Sequence, residues 1–185
     1  MIPSMTIRKA ARVLREGGVI AYPTEGVFGL GCLPGDGDAV ARLLALKRRD
    51  PSQGLILIAQ HSDQLGSWAC LPAGADLHSS AERPITWLVP AQPAVPGTIR
   101  GAHDRIAVRI AAHPVASALC EAAGSALVST SANLSGRPPA RTRFVLRRQF
   151  GRLVDYVVPG ACGPAAGPSE IRDLETGETV RAASA

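Results

Sequence analysis

Apolar residues return at i, i+3, i+4 and i+7 through Ile7, Ala10, Ala11 and Leu14, so the chain is predicted to begin with an amphipathic helix, capped by Ser4 and stopped by Gly17-Gly18. The period then changes. Val19-Ile20-Ala21-Tyr22 is a continuous apolar run closed by Pro23, the pattern of a short buried strand. After a Thr24-Glu25-Gly26 turn, residues 27–31 continue with glycines on alternate positions, where another backbone or a ligand can come close. Asp38 is expected to cap a second helix whose inward stripe carries Val40, Leu43, Leu44 and Lys47. Arg48 and Arg49 then either complement the helix dipole or, with Lys47, wait for an anion; Lys47, at the edge of an apolar face, needs solvent or an anion.

Leu55-Ile56-Leu57-Ile58-Ala59 reads as a strand covered on both sides. Ser62 is expected to cap a helix that turns Leu65, Trp68 and Ala69 inward, and a further helix follows Pro72. Residues 85–89 form a strand closed by Pro90, and a Pro/Gly loop runs to Asp104. From Arg105 to Ile110 the alternation is clean: the branched residues face the core, while Arg105 and Arg109 share the other face, which is either solvated or an anion site. Pro114 starts a helix that buries Val115, Leu119 and Cys120. The apolar run 126–128 then breaks into Ser129-Thr130-Ser131-Ala132-Asn133-Leu134-Ser135-Gly136, read as a strand opening into a loop that either caps its own backbone or aims hydroxyls and N–H groups at a phosphate or carboxylate. Thr142 caps a short helix through Phe150, residues 153–158 make a strand, and the uncharged Gly/Ala/Pro-rich stretch 160–168 is expected to be a mobile loop. A terminal hairpin pairs 169–174 with 178–181 around Thr176-Gly177. Strands and helices mix in irregular order, so the fold class is α/β, a mixed sheet with flanking helices in a single domain over 1–185.

With 46% hydrophobic and 19% charged residues, the chain has a globular composition. Its 20 Lys+Arg exceed its 15 Asp+Glu, a mild preference for an anionic partner such as a nucleotide or RNA. Cys32, Cys70, Cys120 and Cys162 form no metal-ligand spacing, which argues against zinc and for a reduced, cytoplasmic setting. No signal-peptide pattern and no run of about eighteen apolar residues is present, so neither secretion nor a membrane partner is expected.

Phosphate-loop, dinucleotide, nucleophile-elbow and H-E-x-x-H patterns are all absent, and His61, His78, His103 and His113 stand alone, as surface or capping histidines usually do. Neither Ser129 nor Ser131 has an identifiable base. What remains is a set of cations, Lys47, Arg49, Arg105, Arg109 and Arg181, and of neutral donors, Thr24, Ser129, Ser131, Asn133 and Ser169. That inventory suits the binding of anionic substrates and catalysis by positioning and charge neutralisation, as in phosphoryl or nucleotidyl transfer.

Five blocks, Tyr22 to Gly31, Leu46-Lys47-Arg48-Arg49 with Gly54 to Ile58, Ala107-Val108-Arg109, Ser129 to Gly136 and Pro168 to Asp173, together resemble the YrdC/TsaC family of threonylcarbamoyl-AMP synthases, in its short bacterial form. The resemblance implies a twisted sheet with a positively charged concave face, and the condensation of L-threonine, bicarbonate and ATP to threonylcarbamoyl-AMP and pyrophosphate. Downstream threonylcarbamoyl-transfer proteins would then modify tRNA, itself a candidate partner. It implies that Lys47, Arg49, Ser131, Asn133 and Arg181 contact ATP, with Lys47 and Arg49 catalytic, and that Arg109, Ser129, Ser169 and Thr24 hold threonine. Mg2+ is expected to arrive with ATP, since no carboxylate cluster offers it a cage. The sequence departs from the pattern at Gly26, where many relatives have threonine, at Ile58, where longer ones have histidine, at Glu82-Arg83-Pro84-Ile85-Thr86, and at Asp50-Pro51, where the proline is shifted. The competing readings are a non-catalytic RNA-binding protein of tRNA or ribosomal RNA maturation, which would favour more aromatics than the 4% present, and a hydrolase of carbamoyl-adenylates.

Overall fold

The computed structural model describes residues 3–183. Nine strands form one mixed sheet in the order β7-β1-β2-β6-β3-β5-β4-β8-β9. They are β1 (Ile20–Pro23), β2 (Phe28–Cys32), β3 (Ile56–Ala59), β4 (Ile85–Pro90), β5 (Arg105–Ile110), β6 (Leu127–Ser131), β7 (Tyr156–Val157), β8 (Glu170–Asp173) and β9 (Thr179–Arg181). Pairs β1/β7, β3/β5 and β4/β8 are parallel and the rest antiparallel. The helices are α1 (Ser4–Arg15), α2 (Gly37–Lys47), α3 (Gly97–Arg100), α4 (Pro114–Ala123) and α5 (Arg143–Phe150).

Alternation along β1 divides the interior into two layers. Val19 and Ala21 join Leu57, Val108 and Val128 under α2 and α5, which contribute Leu43 and Phe150. Ile20 and Tyr22 face the opposite side with Ile58 and Leu127, packed against Ile7 and Leu14 of α1 and Leu119 of α4. The helical stripe expected from Ile7 to Leu14 is the buried face of α1.

Several local expectations are corrected. Ser4 is the first helical residue and not the cap; the cap of α2 is Asp36, accepting from Ala39 N at 2.9 Å, two residues before Asp38. The helix expected at Ser62 is a single 3-10 turn, Ser62–Leu65, and residues 73–80 are not helical. Residues 153–158 pair only over Tyr156–Val157. The strand ending in the Ser/Asn stretch does not stop at Val128: β6 lies between β2 and β3, pairing with β3 as far as Ser129 and with β2 as far as Ser131. Its first hydroxyls are therefore strand residues.

Candidate active site

Register decides what the α1/α4 face carries. Tyr22, Gly29 and Ser131 stand opposite one another across β1, β2 and β6, and Ile20, Gly31, Ser129 and Ile56 do so one pleat along. Ile58 opposes Arg109. Cross-strand partners point to the same side of a sheet, so Ser129, Ser131 and Arg109 share this face. The helices cover only part of it. Beyond them lies a cavity of about 110 Å3 whose walls include Thr24, Arg49, Arg109, Ser129, Ser131, Ser169 and Arg181.

Seven of the nine residues expected at the site thus line one hollow. The other two stand behind it: Lys47 Nζ donates to Asn133 O and Asn133 Oδ1, each at 2.9 Å, and to Ser131 O. Lys47 is buried and faces neither solvent nor a free anion position but three oxygens at the end of β6. Burial first, and the Arg49 cation second, lower it to about 8.

Three guanidiniums surround the cavity. Arg49 is held by Gly54 O, at 3.2 Å from Nε and 2.9 Å from Nη2, after Arg48 ends α2 in the left-handed region at φ 50°. Arg181 is exposed along β9, yet its guanidinium donates to Ser169 O at 2.9 Å, and partial burial followed by Arg49 and Arg109 disfavours its charge. Arg109 is buried, 3.3 Å from the carboxylate of Glu25, so it lies on no wet face. Arg105, its neighbour on the strand face, is bound to Asp173 and Glu175 instead. Among the lining residues three arginines face one carboxylate, Glu25, a formal excess of positive charge.

Glu25 was not singled out by the sequence. Its Oε1 accepts from Ala112 N at 2.9 Å and His113 N at 3.1 Å. Burial alone would raise its pKa, but Arg109 and the N–H groups of Glu25, His113 and Ala112 together hold it below the usual carboxylate value. A carboxylate inside a turn between two buried strands was the one available signal; its partner is 84 residues away in the sequence.

The hydroxyls differ in what they can still offer. Thr24 Oγ1 donates to Val27 O at 2.7 Å, and Ser131 Oγ to Asn133 Oδ1 at 2.7 Å. Ser169 Oγ shares a 2.7 Å bond with Thr86 Oγ1, a fully buried threonine that keeps its place within the altered 82–86 segment. Ser129 Oγ receives a bond from Tyr22 OH at 2.9 Å. The remaining departures are local: Ile58 is buried core, and Asp50-Pro51 starts a 3-10 turn, with Asp50 accepting from Ser52 N at 2.9 Å.

The stretch expected to be mobile is a strap tied across the site. Gly163 N bonds Thr24 O and Ala165 N bonds Glu25 O, both at 2.9 Å; His113 Nε2 meets Ala161 O at 3.1 Å, and Arg141 reaches the carbonyls of Ala165 and Ala166. A Cβ on Gly26 would stand 2.3 Å from Gly167 O, so this position has no room for threonine while the strap lies here. On the far side of Arg49 and Arg181 is a second hollow of about 380 Å3, walled by Leu55, Ile56, Leu88, Ala107, Ile171 and Val180, with Arg105 and Gln53 also lining it. Among the described residues no group of three or more His, Cys, Asp or Glu could hold a metal, and no helix is long and apolar enough to cross a membrane.

A family model named for Sua5, YciO and YrdC and described as "Telomere recombination" matches residues 12–183. The threonylcarbamoyl-AMP synthase of Nitrosococcus oceani is 54% identical over 183 residues, covering 97% of this chain and 98% of that one, and the synthase of Methylococcus capsulatus is 50% identical with the same coverage. A crystal structure of P. abyssi Sua5 complexed with L-threonine superposes with a TM-score of 0.87 at 31% identity, covering 97% of this chain and 54% of that one, so this chain spans about half the length of that protein. E. coli YciO shares the fold, with a TM-score of 0.80 at 23% identity, covering 97% of this chain and 89% of that one. With a model matched over nearly the whole length and full-length relatives at half identity or better, the chain belongs to the Sua5/YciO/YrdC family.

Proposed function

We propose that this protein is an L-threonylcarbamoyladenylate synthase, joining L-threonine, bicarbonate and ATP into threonylcarbamoyl-AMP with release of pyrophosphate. The observation that carries the reading is the convergence of Arg49, Arg109 and Arg181 on one small hollow beside Ser129 and Ser169. Two anions, a carbamate and a triphosphate, must meet for this reaction, and fixed cations remove their repulsion. The names of the relatives and the threonine complex of P. abyssi Sua5 support it.

In this reading Arg109, steadied by Glu25, takes the threonine carboxylate with Ser129 beside it, and Ser169 and Thr24 lie around the rest of the amino acid. ATP lies across Arg49 and Arg181, its phosphates toward Ser131 and Asn133 and its nucleoside in the apolar second hollow. The threonine amine bonds to the carbon of bicarbonate, the C–OH bond breaks, and the hydroxyl leaves as water with an amine proton, giving the carbamate. A carbamate oxygen then attacks the α-phosphorus in line, the bond to the β-phosphate oxygen breaks, and pyrophosphate leaves. Lys47 and Arg49 act on charge: Arg49 at the phosphates, Lys47 by fixing the Ser131–Asn133 corner. Mg2+ enters as part of the substrate MgATP, since a triphosphate and water can supply its oxygens.

The product is a mixed anhydride, so a threonylcarbamoyl-transfer system must consume it, with tRNA as the final acceptor. Residues 122–154 carry six arginines and no acidic residue, while the whole chain is only +5. All six are exposed, around α5 and the mouth of the site, which supports a polyanion such as tRNA docking there. Incubation with ATP, bicarbonate and labelled threonine tests the reaction. Pyrophosphate and a labelled adenylate are expected only when all three are present, and pyrophosphate release indifferent to threonine refutes the reading.

A further inference from the structure

Tyr22 is fully buried on β1, but its side chain runs sideways over β2 to reach β6, where its hydroxyl donates to Ser129 Oγ at 2.9 Å. The crossing needs a strand without side chains beneath it. A Cβ at Gly31 would stand 2.5 Å from Val128 O, 3.0 Å from Tyr22 Cε1 and 3.1 Å from its hydroxyl, while one at Gly29 would meet Thr24 Cγ2 at 3.2 Å and only touch Tyr22 Cζ and Ser129 Oγ at 3.4 Å. Gly31 thus leaves room both for the Val128 carbonyl and for the ring of Tyr22 on its way to β6.

Bond polarity follows from proton counting. Burial holds the phenol in its neutral form, and its single proton goes to Ser129. Ser129 Oγ keeps its own proton, which no described residue accepts, and Ser129 lines the cavity beside Arg109. A hydroxyl whose oxygen is already engaged by a donor presents its proton to the open side.

We propose that Tyr22 is a positioning residue that sets Ser129 as a hydrogen-bond donor toward the cavity, so that this wall selects an anionic oxygen of the amino-acid substrate over an amide. The proposal rests on the synthase reading for the identity of that ligand. Without the phenol, Ser129 turns among its rotamers and its proton is presented only part of the time.

Calorimetric titration with L-threonine and with L-threoninamide, on the wild type, Tyr22→Phe, Ser129→Ala and the double variant, tests it. Tyr22→Phe is expected to weaken threonine about five- to tenfold, Ser129→Ala at least as much, and the double variant no more than Ser129→Ala. Threoninamide should bind the wild type and Tyr22→Phe equally weakly. In turnover, KM for threonine should rise in Tyr22→Phe while kcat at saturation stays within about twofold. If Ser129→Ala loses affinity and Tyr22→Phe does not, or if the two losses add, the positioning role is overturned and the synthase reading stands. A wild type that binds no threonine overturns both. Should Tyr22→Phe not fold, fluorine NMR of the 3-fluorotyrosine protein decides. The chain has two tyrosines, and the Tyr22 signal should move on adding threonine to the wild type but not to Ser129→Ala. A Tyr22 signal that stays still in the wild type overturns the proposal.

Discussion

Lys47 donates from its buried Nζ to the backbone and the side-chain oxygen of Asn133, each 2.9 Å away. The amine at the end of α2 is therefore a clamp on the corner that follows β6. Lys47→Ala leaves buried oxygens without a donor, which costs about 1–3 kcal/mol, and shifts the corner that orients Ser131. A melting temperature several degrees lower together with a loss of threonine-dependent pyrophosphate release on the order of a hundredfold is expected. Full stability would contradict the clamp, and full activity would contradict the catalytic role.

The same residue gives a pH signature. Burial and Arg49 lower Lys47 to about 8, against about 10.4 in the unfolded chain. Between those values the unfolded state holds more protons, so this group makes stability rise with pH across that window. Activity that needs the ammonium falls over the same range. Denaturation midpoints and kcat/KM measured from pH 7 to about 10 should diverge in the wild type, and the stability rise should vanish in Lys47→Met.

Glu25 and Arg109 form a buried pair, and breaking such a pair from one side typically costs about 3–5 kcal/mol. Glu25→Gln keeps an acceptor for Ala112 and His113 but leaves Arg109 uncompensated, so a large stability loss and a higher KM for threonine are expected. Since the folded state lowers the carboxyl's pKa, its stabilisation is present above the ordinary Glu value and is lost as pH falls through the lowered one. Acid titrations of stability should be shallower in Glu25→Gln than in the wild type; identical acid limbs would refute the pairing.

Gly26→Thr tests the strap. Its Cβ would collide with a backbone oxygen, that of Gly167, which cannot swing aside as a side chain can. Faster hydrogen exchange at the Gly163 and Ala165 amides, and quicker proteolysis within 160–168, are expected. Unchanged exchange at both amides would show that the strap does not depend on the missing side chain.

Much of this was legible in the chain itself. The stripe from Ile7 to Leu14, the run at Leu55, the hairpin around Gly177 and most of the residues that line the hollow follow from local period and from the family resemblance. What was not legible depends on pairing over long separations. Pairing with β2, joined by β3 at Ser129, turned Ser129 to Ser131 into strand, and a carboxylate 84 positions upstream took Arg109 out of solvent. Lys47 looked like a cation needing water or an anion because carbonyls that converge from another strand leave no trace in composition.

The cavity wall joins Thr24 to Arg181, and β8 and β9 form the far edge of the sheet. During synthesis the hollow therefore stays unfinished until the β8–β9 hairpin has emerged and docked on β4. A chain cut short before β8 would lack Ser169 and Arg181 and leave the hollow without that wall.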